Sequence, residues 1–455
     1  MTPPAKSIAI LGAGATGLAA AHRLSRLGHR VRVFESSNRV GGAVRTELTA
    51  DGWLIEAGPN SLLSGERAVA TLIDELGLAT ERVAANPAAK NRYIVRRGRL
   101  VPAPLSPPGF LTSSLFSPFA KLRVLCELFA RPRIRTTDLS LAEFIRSHFG
   151  REFTDYALNP FVAGVYAGNP EKLSARHAFP KLWELERTRG SLLRGQIAAA
   201  KSRRARGEPR SEIFSFRRGL QTLTDALAAR LPAGTIALEA TLDAIVPREK
   251  WNVIWHDSAA THTENFDAVV AALPALALAQ LRIGPHGERP LAALAAMEHP
   301  PVSSLFLGFR RDQIAQKLDG FGALVPAVEK RSVLGILFSS SLFSGRAPDD
   351  HVALTVMIGG ARQPELAVLP TEKILTVIRP DLAELLGVTG DPVFVRHHFW
   401  PRAIPQYNLG HEQFLTAIVA AERAHPGLFV GGQCRDGISV PSCLAAGENL
   451  AARIL

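Results

Sequence analysis

The chain has 455 residues, 47% of them hydrophobic, enough to bury a large core and to build two or three domains. Its three cysteines, Cys126, Cys434 and Cys443, include no Cys-x-x-Cys pair and no metal-ligand spacing. That excludes a disulfide framework and a zinc or iron–sulfur site, and it implies a reducing compartment. The formal net charge of +12 leaves nucleic acid, anionic lipid and acidic small molecules to be weighed as partners.

Residues 1–6 carry two prolines and one lysine ahead of an apolar run that glycines interrupt at once. This is not a secretory signal, and no stretch reaches the roughly eighteen uninterrupted apolar residues of a transmembrane helix. A cytoplasmic protein is expected. Residues 7–11 (SIAIL) read as a buried strand, followed by Gly12, Ala13, Gly14, Ala15, Thr16 and Gly17 and then an apolar helix. Residues 30–34 read as a second strand ending at Glu35. In such a unit the first glycine permits the turn, the second lets a pyrophosphate approach, and the third lets helix and strand pack closely. The helix N-terminus faces the phosphates, and the acidic residue takes ribose hydroxyls. A carboxylate at position 35 disfavours a ribose 2′-phosphate, which leaves FAD or NAD.

Arg39, Gly41, Gly42 and Arg45 come next, a glycine pair bracketed by two guanidinium groups suited to a diphosphate. Gly58, Pro59 and Asn60 form another glycine turn. These two segments resemble the FAD-binding amine oxidase superfamily, which makes FAD the expected cofactor.

Between residues 100 and 129, Pro104, Pro107, Pro108 and Pro118 punctuate an apolar segment that includes Phe110, Leu111, Phe116, Phe119, Leu122 and Leu125. Basic residues cluster between Arg187 and Arg210 without interleaved aromatics or a nucleic-acid fold, so no nucleic acid is expected. A solvated loop and a membrane-surface patch both remain open there, and the apolar segment is compatible with peripheral membrane contact or with burial.

Further strands are predicted over residues 237–246, 252–255, 266–273 and 428–430. The last leads through Gly431 and Gly432 to a closing helix over 442–454. A helix N-terminus at Val440 and Pro441 suits the negative charge of a reduced flavin. The adjacent pair His397 and His398 would point to opposite faces of a strand, so it is read as structural.

Residues 160–170 (PFVAGVYAGNP), 91–94 (NRYI), 215–221 (SFRRGLQ), 318–322 (LDGFG) with Leu324 and Pro326, and 403–407 (AIPQY) closely resemble the protoporphyrinogen oxidases. The resemblance covers nearly the whole chain and departs at Gln433 and Cys434, where the family commonly reads Asn-Tyr. It implies an α/β fold of monoamine-oxidase-like architecture. A Rossmann-like FAD-binding domain of glutathione-reductase type (1–60, 210–275 and 410–455) is interleaved with an α+β substrate domain (61–100 and 276–409) and a helical domain (101–209).

The resemblance further implies a reaction in which three hydride transfers to flavin N5 remove six electrons from protoporphyrinogen IX. O2 accepts them as H2O2, no side chain acts as a chemical catalyst, and no metal takes part. It makes Arg92 the propionate partner, Phe321 the ring-stacking residue, Leu324 a pocket wall, and Gly164 backbone close to the substrate. Coproporphyrinogen III stays open as substrate, as do another amine-oxidase-like flavoenzyme such as a carotenoid desaturase, a silent porphyrin carrier, and a homodimeric assembly.

Overall fold

A computed structural model describes residues 4–64, 67–207 and 211–454; Met1, Thr2, Pro3 and Arg210 of the segments above lie outside the described residues. Ser7–Leu11 is fully buried at the centre of a five-stranded parallel sheet. Its order is Ile236–Ala237, Arg30–Phe34, Ser7–Leu11, Ala268–Ala271, Leu428–Val430. Alternation along the central strand divides its side chains between two cores. Ile8 and Ile10 pack with the helices Ala15–Arg26 and Val440–Ile454, while Ala9 and Leu11 pack with Phe34, Trp255, Leu278 and Phe414. Cover on both faces explains why Ser7–Leu11 and Ala268–Ala271 are almost wholly apolar, whereas Arg30–Phe34, with Arg30 exposed, alternates arginine and valine.

Two expected strands are broken. The run 237–246 divides at Glu239, which sits at φ +55° and donates its N–H to Ser37 O at 2.9 Å. Ile236–Ala237 stays in the parallel sheet, and Thr241–Pro247 joins a separate four-stranded sheet with Trp251–His256, Thr261–Phe266 and Arg282–Ile283. The run 266–273 divides at Asp267, which turns the chain from one sheet into the other. Its carboxylate accepts from Ser7 N at 2.7 Å and Ser7 Oγ at 2.9 Å, and it pairs with Lys250 at 2.9 Å.

A seven-stranded sheet carries the second half of the molecule. Its order is Phe394–Trp400, Val302–Arg310, His351–Gly359, Val333–Leu337, Gly320–Leu324, Asn91–Arg96, Arg99–Pro102. Only the pair Gly320–Leu324 with Asn91–Arg96 is parallel. Its core packs on the helix Thr371–Leu386 through Ile374, Ile378 and Leu382.

Residues 107–205 are helical. Ser106, Ser117, Ser140, Ser174 and Ser191 each cap a helix through a side-chain acceptor, which satisfies otherwise orphaned N–H groups. A buried ionic cluster staples these helices together. His148 contacts Glu127 at 3.0 Å and Glu186 at 3.1 Å, and Arg135 grips Glu186 with two bonds of 2.7 Å. Glu127 also accepts from Ser191 Oγ and from the N–H groups of Leu192 and Leu193. Burial works to raise the Glu127 pKa, but those hydrogen bonds outweigh it and hold the carboxyl below its usual range. On Pro118–Cys126 the side chains divide: Ala120 and Val124 face inward, while Phe119, Leu122 and Leu125 are exposed. Among the described residues no helix is long and apolar enough to cross a membrane.

Truncating Glu127 leaves His148 and three N–H or O–H donors without their acceptor, so Glu127→Ala is expected to destabilise the protein by about 3–5 kcal/mol, read as a lowered Tm. The Ser7 N–H, followed by Lys250, depresses the Asp267 pKa to about 2. A folded value below the unfolded one gives stabilisation that is present above about pH 4 and is lost as the pH falls towards 2. Asp267→Asn should therefore flatten the acid limb of the stability curve over that window, measured by urea unfolding at stepped pH.

Candidate active site

The first glycine loop shows a division of labour among its glycines. Gly12, at φ +98°, donates its N–H to Phe34 O at 2.8 Å, and a Cβ there would lie 2.8 Å from Ala272 O. A Cβ on Gly17 would lie 1.9 Å from Gly12 O. Both positions are glycine because protein backbone occupies the space. A Cβ on Gly14 would meet nothing within 4 Å. Gly14 is also the N-cap of Ala15–Arg26, and no side chain caps that end. An open approach to uncapped N–H groups at a helix N-terminus fits a pyrophosphate. Glu35 is aimed by its own neighbours: Oε2 accepts from Ala13 N at 2.9 Å, and Oε1 accepts from Ser37 N and Oγ at 2.9 and 2.8 Å.

The second glycine pair lies directly against this loop. Gly41 donates its N–H to Ala13 O at 2.8 Å, and a Cβ on Gly42 would sit 3.3 Å from Gly14 Cα. The two bracketing arginines do different things. Arg39 donates to the carbonyls of Val40, Gly42 and Val44 at 3.0, 2.6 and 3.2 Å, so it shapes the turn from within. Burial and then the charge of Arg45 lower its pKa. Arg45 is exposed and has no ion-pair partner among the described residues, which leaves its charge for a ligand. Gly58 completes this side: a Cβ there would fall 2.1 Å from Ala43 O. Beside it, Asn60 Nδ2 donates to Gly58 O at 3.0 Å.

The C-terminal turn closes the cradle. A Cβ on Gly432, at φ +112°, would lie 3.5 Å from Thr16 Oγ1, and one on Gly447 would lie 2.4 Å from Thr16 O. Val440 and Pro441 begin the closing helix. At the departure from the family pattern, Gln433 offers its backbone carbonyl to Tyr407 at 2.5 Å. Cys434 is buried, and desolvation pushes its thiol up to about 12, which disfavours the thiolate.

The four expected substrate residues come together. Arg92 and Phe321 lie on the parallel pair Asn91–Arg96 and Gly320–Leu324, with the Arg92 guanidinium 5.8 Å from the centre of the Phe321 ring. Gly164, on Asn159–Tyr166, faces Leu324: a Cβ there would be 2.5 Å from Leu324 Cδ2. Period-two alternation sends Tyr93 and Val95 into the core and leaves Arg92, Ile94 and Arg96 on the other face. Arg96 is tied to Glu152 at 2.7 Å, whereas Arg92 is exposed and has no carboxylate partner among the described residues.

His397 bonds Ser303 Oγ at 2.7 Å and Thr371 Oγ1 at 2.9 Å, and His398 turns instead towards Glu47 at 3.8 Å. Among the described residues no group of side chains is arranged to hold a metal ion. Gln406 and Tyr407, assigned no role from the sequence, sit between the two halves of the site. Their partners lie far along the chain, and no spacing rule finds such contacts.

A parallel dinucleotide sheet, a glycine cradle and a second, mainly antiparallel sheet define a flavoenzyme. The chain belongs to the flavin containing amine oxidoreductase family, whose model matches residues 15–455. It is similar to protoporphyrinogen oxidase 2, chloroplastic/mitochondrial, of Arabidopsis thaliana, at 34% identity over 97% of this chain and 92% of the relative. Coproporphyrinogen III oxidase of Staphylococcus aureus is 27% identical over 99% of both chains. In fold it matches a crystal structure from Exiguobacterium sp. 255-15, provisionally named a protoporphyrinogen oxidase, with TM-score 0.83 and 24% identity over 99% of both chains. The protein is an FAD-dependent oxidoreductase.

Gly14→Val places a branched side chain in the open approach to the helix N-terminus. It is expected to weaken FAD binding at least about a hundredfold while far-UV circular dichroism stays parental, as checked by flavin titration of the refilled apoprotein.

Proposed function

We propose that the chain oxidises protoporphyrinogen IX to protoporphyrin IX, with O2 as the acceptor and H2O2 as the by-product. The observation that carries this reading is the guanidinium of Arg92, without a carboxylate partner among the described residues, 5.8 Å from the centre of the Phe321 ring, on a face where Leu324 packs against the backbone of Gly164. A broad apolar macrocycle with propionates at one edge needs that combination of flat aromatic face and one cationic anchor.

Bound FAD supplies the two-electron acceptor. The chain's residues supply aim and dryness. Arg92 fixes the propionate edge, and Phe321 and Leu324 hold the ring plane, with Leu324 seated on the bare backbone of Gly164. Their work is positioning. A single anchoring cation favours protoporphyrinogen over coproporphyrinogen III, whose extra propionates ask for further basic residues.

Attachment to an anionic membrane surface belongs to the same reading. Phe119 and Phe129 are 80% and 83% exposed and Ile134 is 82% exposed, with Lys121, Arg123, Arg131 and Arg133 alongside in sequence. Apolar side chains of this size beside cations suit insertion at the headgroup boundary.

The two porphyrinogens, prepared anaerobically and offered in parallel, should give porphyrin fluorescence and peroxide on admission of air, faster with protoporphyrinogen; no peroxide with either overturns the oxidase reading. Arg92→Ala should raise KM about tenfold or more, and Phe321→Ala should weaken porphyrinogen binding at normal FAD content. Flotation with phosphatidylglycerol vesicles should carry the parent protein upward and leave the Phe119→Asp, Phe129→Asp double variant behind.

A further inference from the structure

The segment following the last strand of the seven-stranded sheet runs between the two halves of the site. Gln406, only 2% exposed, donates from Nε2 to Tyr166 O at 2.8 Å. Its Oε1 lies so near Gly168 that a Cβ there would be 2.2 Å away. Tyr166 ends the helix that carries Gly164, so Gln406 grips the substrate-side helix at its last turn.

Tyr407 reaches the other way. Its hydroxyl donates to Gln433 O at 2.5 Å and accepts from Gly437 N at 2.9 Å. One oxygen thus closes a turn whose ends, Gly432 and Gly437, stand at φ +112° and +117°, conformations that the chain by itself does not fix. The same turn packs on Thr16 at the start of the dinucleotide helix.

The segment itself is held. Gln406 N donates to Glu298 O at 2.9 Å, and Tyr407 O accepts from Ser174 N at 2.8 Å. The Tyr407 ring stacks on His411, with centroids 4.2 Å apart and planes at 26°, and His411 is 1% exposed.

We infer that Gln406 and Tyr407 form a strut that sets the gap between the substrate-side helix and the cofactor-side turn, Tyr407 positioning the flavin and Gln406 positioning the substrate. The proposal rests on the oxidase reading for what lies on the substrate side of the gap. Hydride transfer requires donor and acceptor within a narrow range of distance and angle, and the strut is where this chain holds that range.

Two variants separate its arms. Tyr407→Phe keeps the ring and its stack and deletes one oxygen; Gln406→Leu keeps the volume and deletes the amide. FAD affinity and the two-electron flavin potential are measured by titration and dye equilibration with no porphyrinogen present, and KM is then measured with protoporphyrinogen. Tyr407→Phe is expected to weaken FAD about fivefold or more and to shift the potential, with KM within about twofold of the parent. Gln406→Leu is expected to leave affinity and potential at parental values and to raise KM about fivefold. Parental FAD affinity and potential in Tyr407→Phe overturn the inference, and so does the same change in both variants, which a merely structural segment would give. Should Tyr407→Phe not fold, His411→Leu, which removes the ring stacked on Tyr407 and keeps the Tyr407 hydroxyl, must move affinity and potential in the same direction or the inference falls. A parent protein that protoporphyrinogen does not reduce ends the oxidase reading, while the cofactor measurements still decide the role of Tyr407.

Discussion

The architecture turns on backbone meeting backbone. Around Gly14, segments from residues 12–17, 41–43, 58, 432 and 447 converge so closely that a Cβ at Gly17, Gly58 or Gly447 would stand 1.9, 2.1 or 2.4 Å from a neighbouring carbonyl oxygen. Those segments are brought together by the parallel sheet, by the turn that follows Arg30–Phe34, and by the helix Val440–Ile454 lying across Ala15–Arg26. A side chain at Gly17, Gly58 or Gly447 forces the backbone segments that meet there apart, because a carbonyl oxygen cannot yield as a side chain can. The cofactor cradle is therefore a property of the packed backbone, and the side chains tune it.

The tuning is electrostatic. Uncapped N–H groups at the Ala15–Arg26 helix N-terminus and the unpaired Arg45 supply positive potential from two directions, while Arg39 spends its donors on three carbonyls of the turn. Those carbonyls would otherwise present negative oxygens close to the anion-binding loop. One arginine thus organises the turn and the other keeps its charge free for a ligand, although they read as equivalent in the sequence. The same contrast recurs on Asn91–Arg96, where Arg96 is neutralised by Glu152 and Arg92 has no carboxylate partner among the described residues.

Local signals made much of this legible. Ser7–Leu11 and Leu428–Val430 follow from apolar runs ending in glycine, and Arg30–Phe34 from an alternating run ending at Glu35, since period and punctuation are properties of adjacent residues. The breaks at Glu239 and Asp267 were not legible. Each is fixed by a partner far along the chain, Ser37 in one case and Ser7 in the other, and neither carries a proline or glycine to announce it. The meeting of Arg92 with Phe321 follows from a parallel pairing across more than two hundred positions, so it was reachable only through resemblance. The His148 cluster was invisible for the same reason: its carboxylates come from separate helices.

The two halves of the site are built to different tolerances. On the cofactor side, contacts are between backbones, and Tyr407 adds a fixed hydroxyl to a turn that glycines would otherwise leave soft. On the proposed substrate side, Arg92, Phe321 and Leu324 are long side chains at a partly open face; under the oxidase reading they would settle around a ring that becomes flatter and stiffer as electrons leave it. A rigid acceptor beside an adaptable slot suits a reaction in which the flavin must return to the same place while the substrate differs at each of three successive steps. The strut at Gln406 and Tyr407 is then the element that transmits the rigidity of the first half to the second, because it is bonded to the Gly432 turn at one residue and to the end of the Gly164 helix at the next.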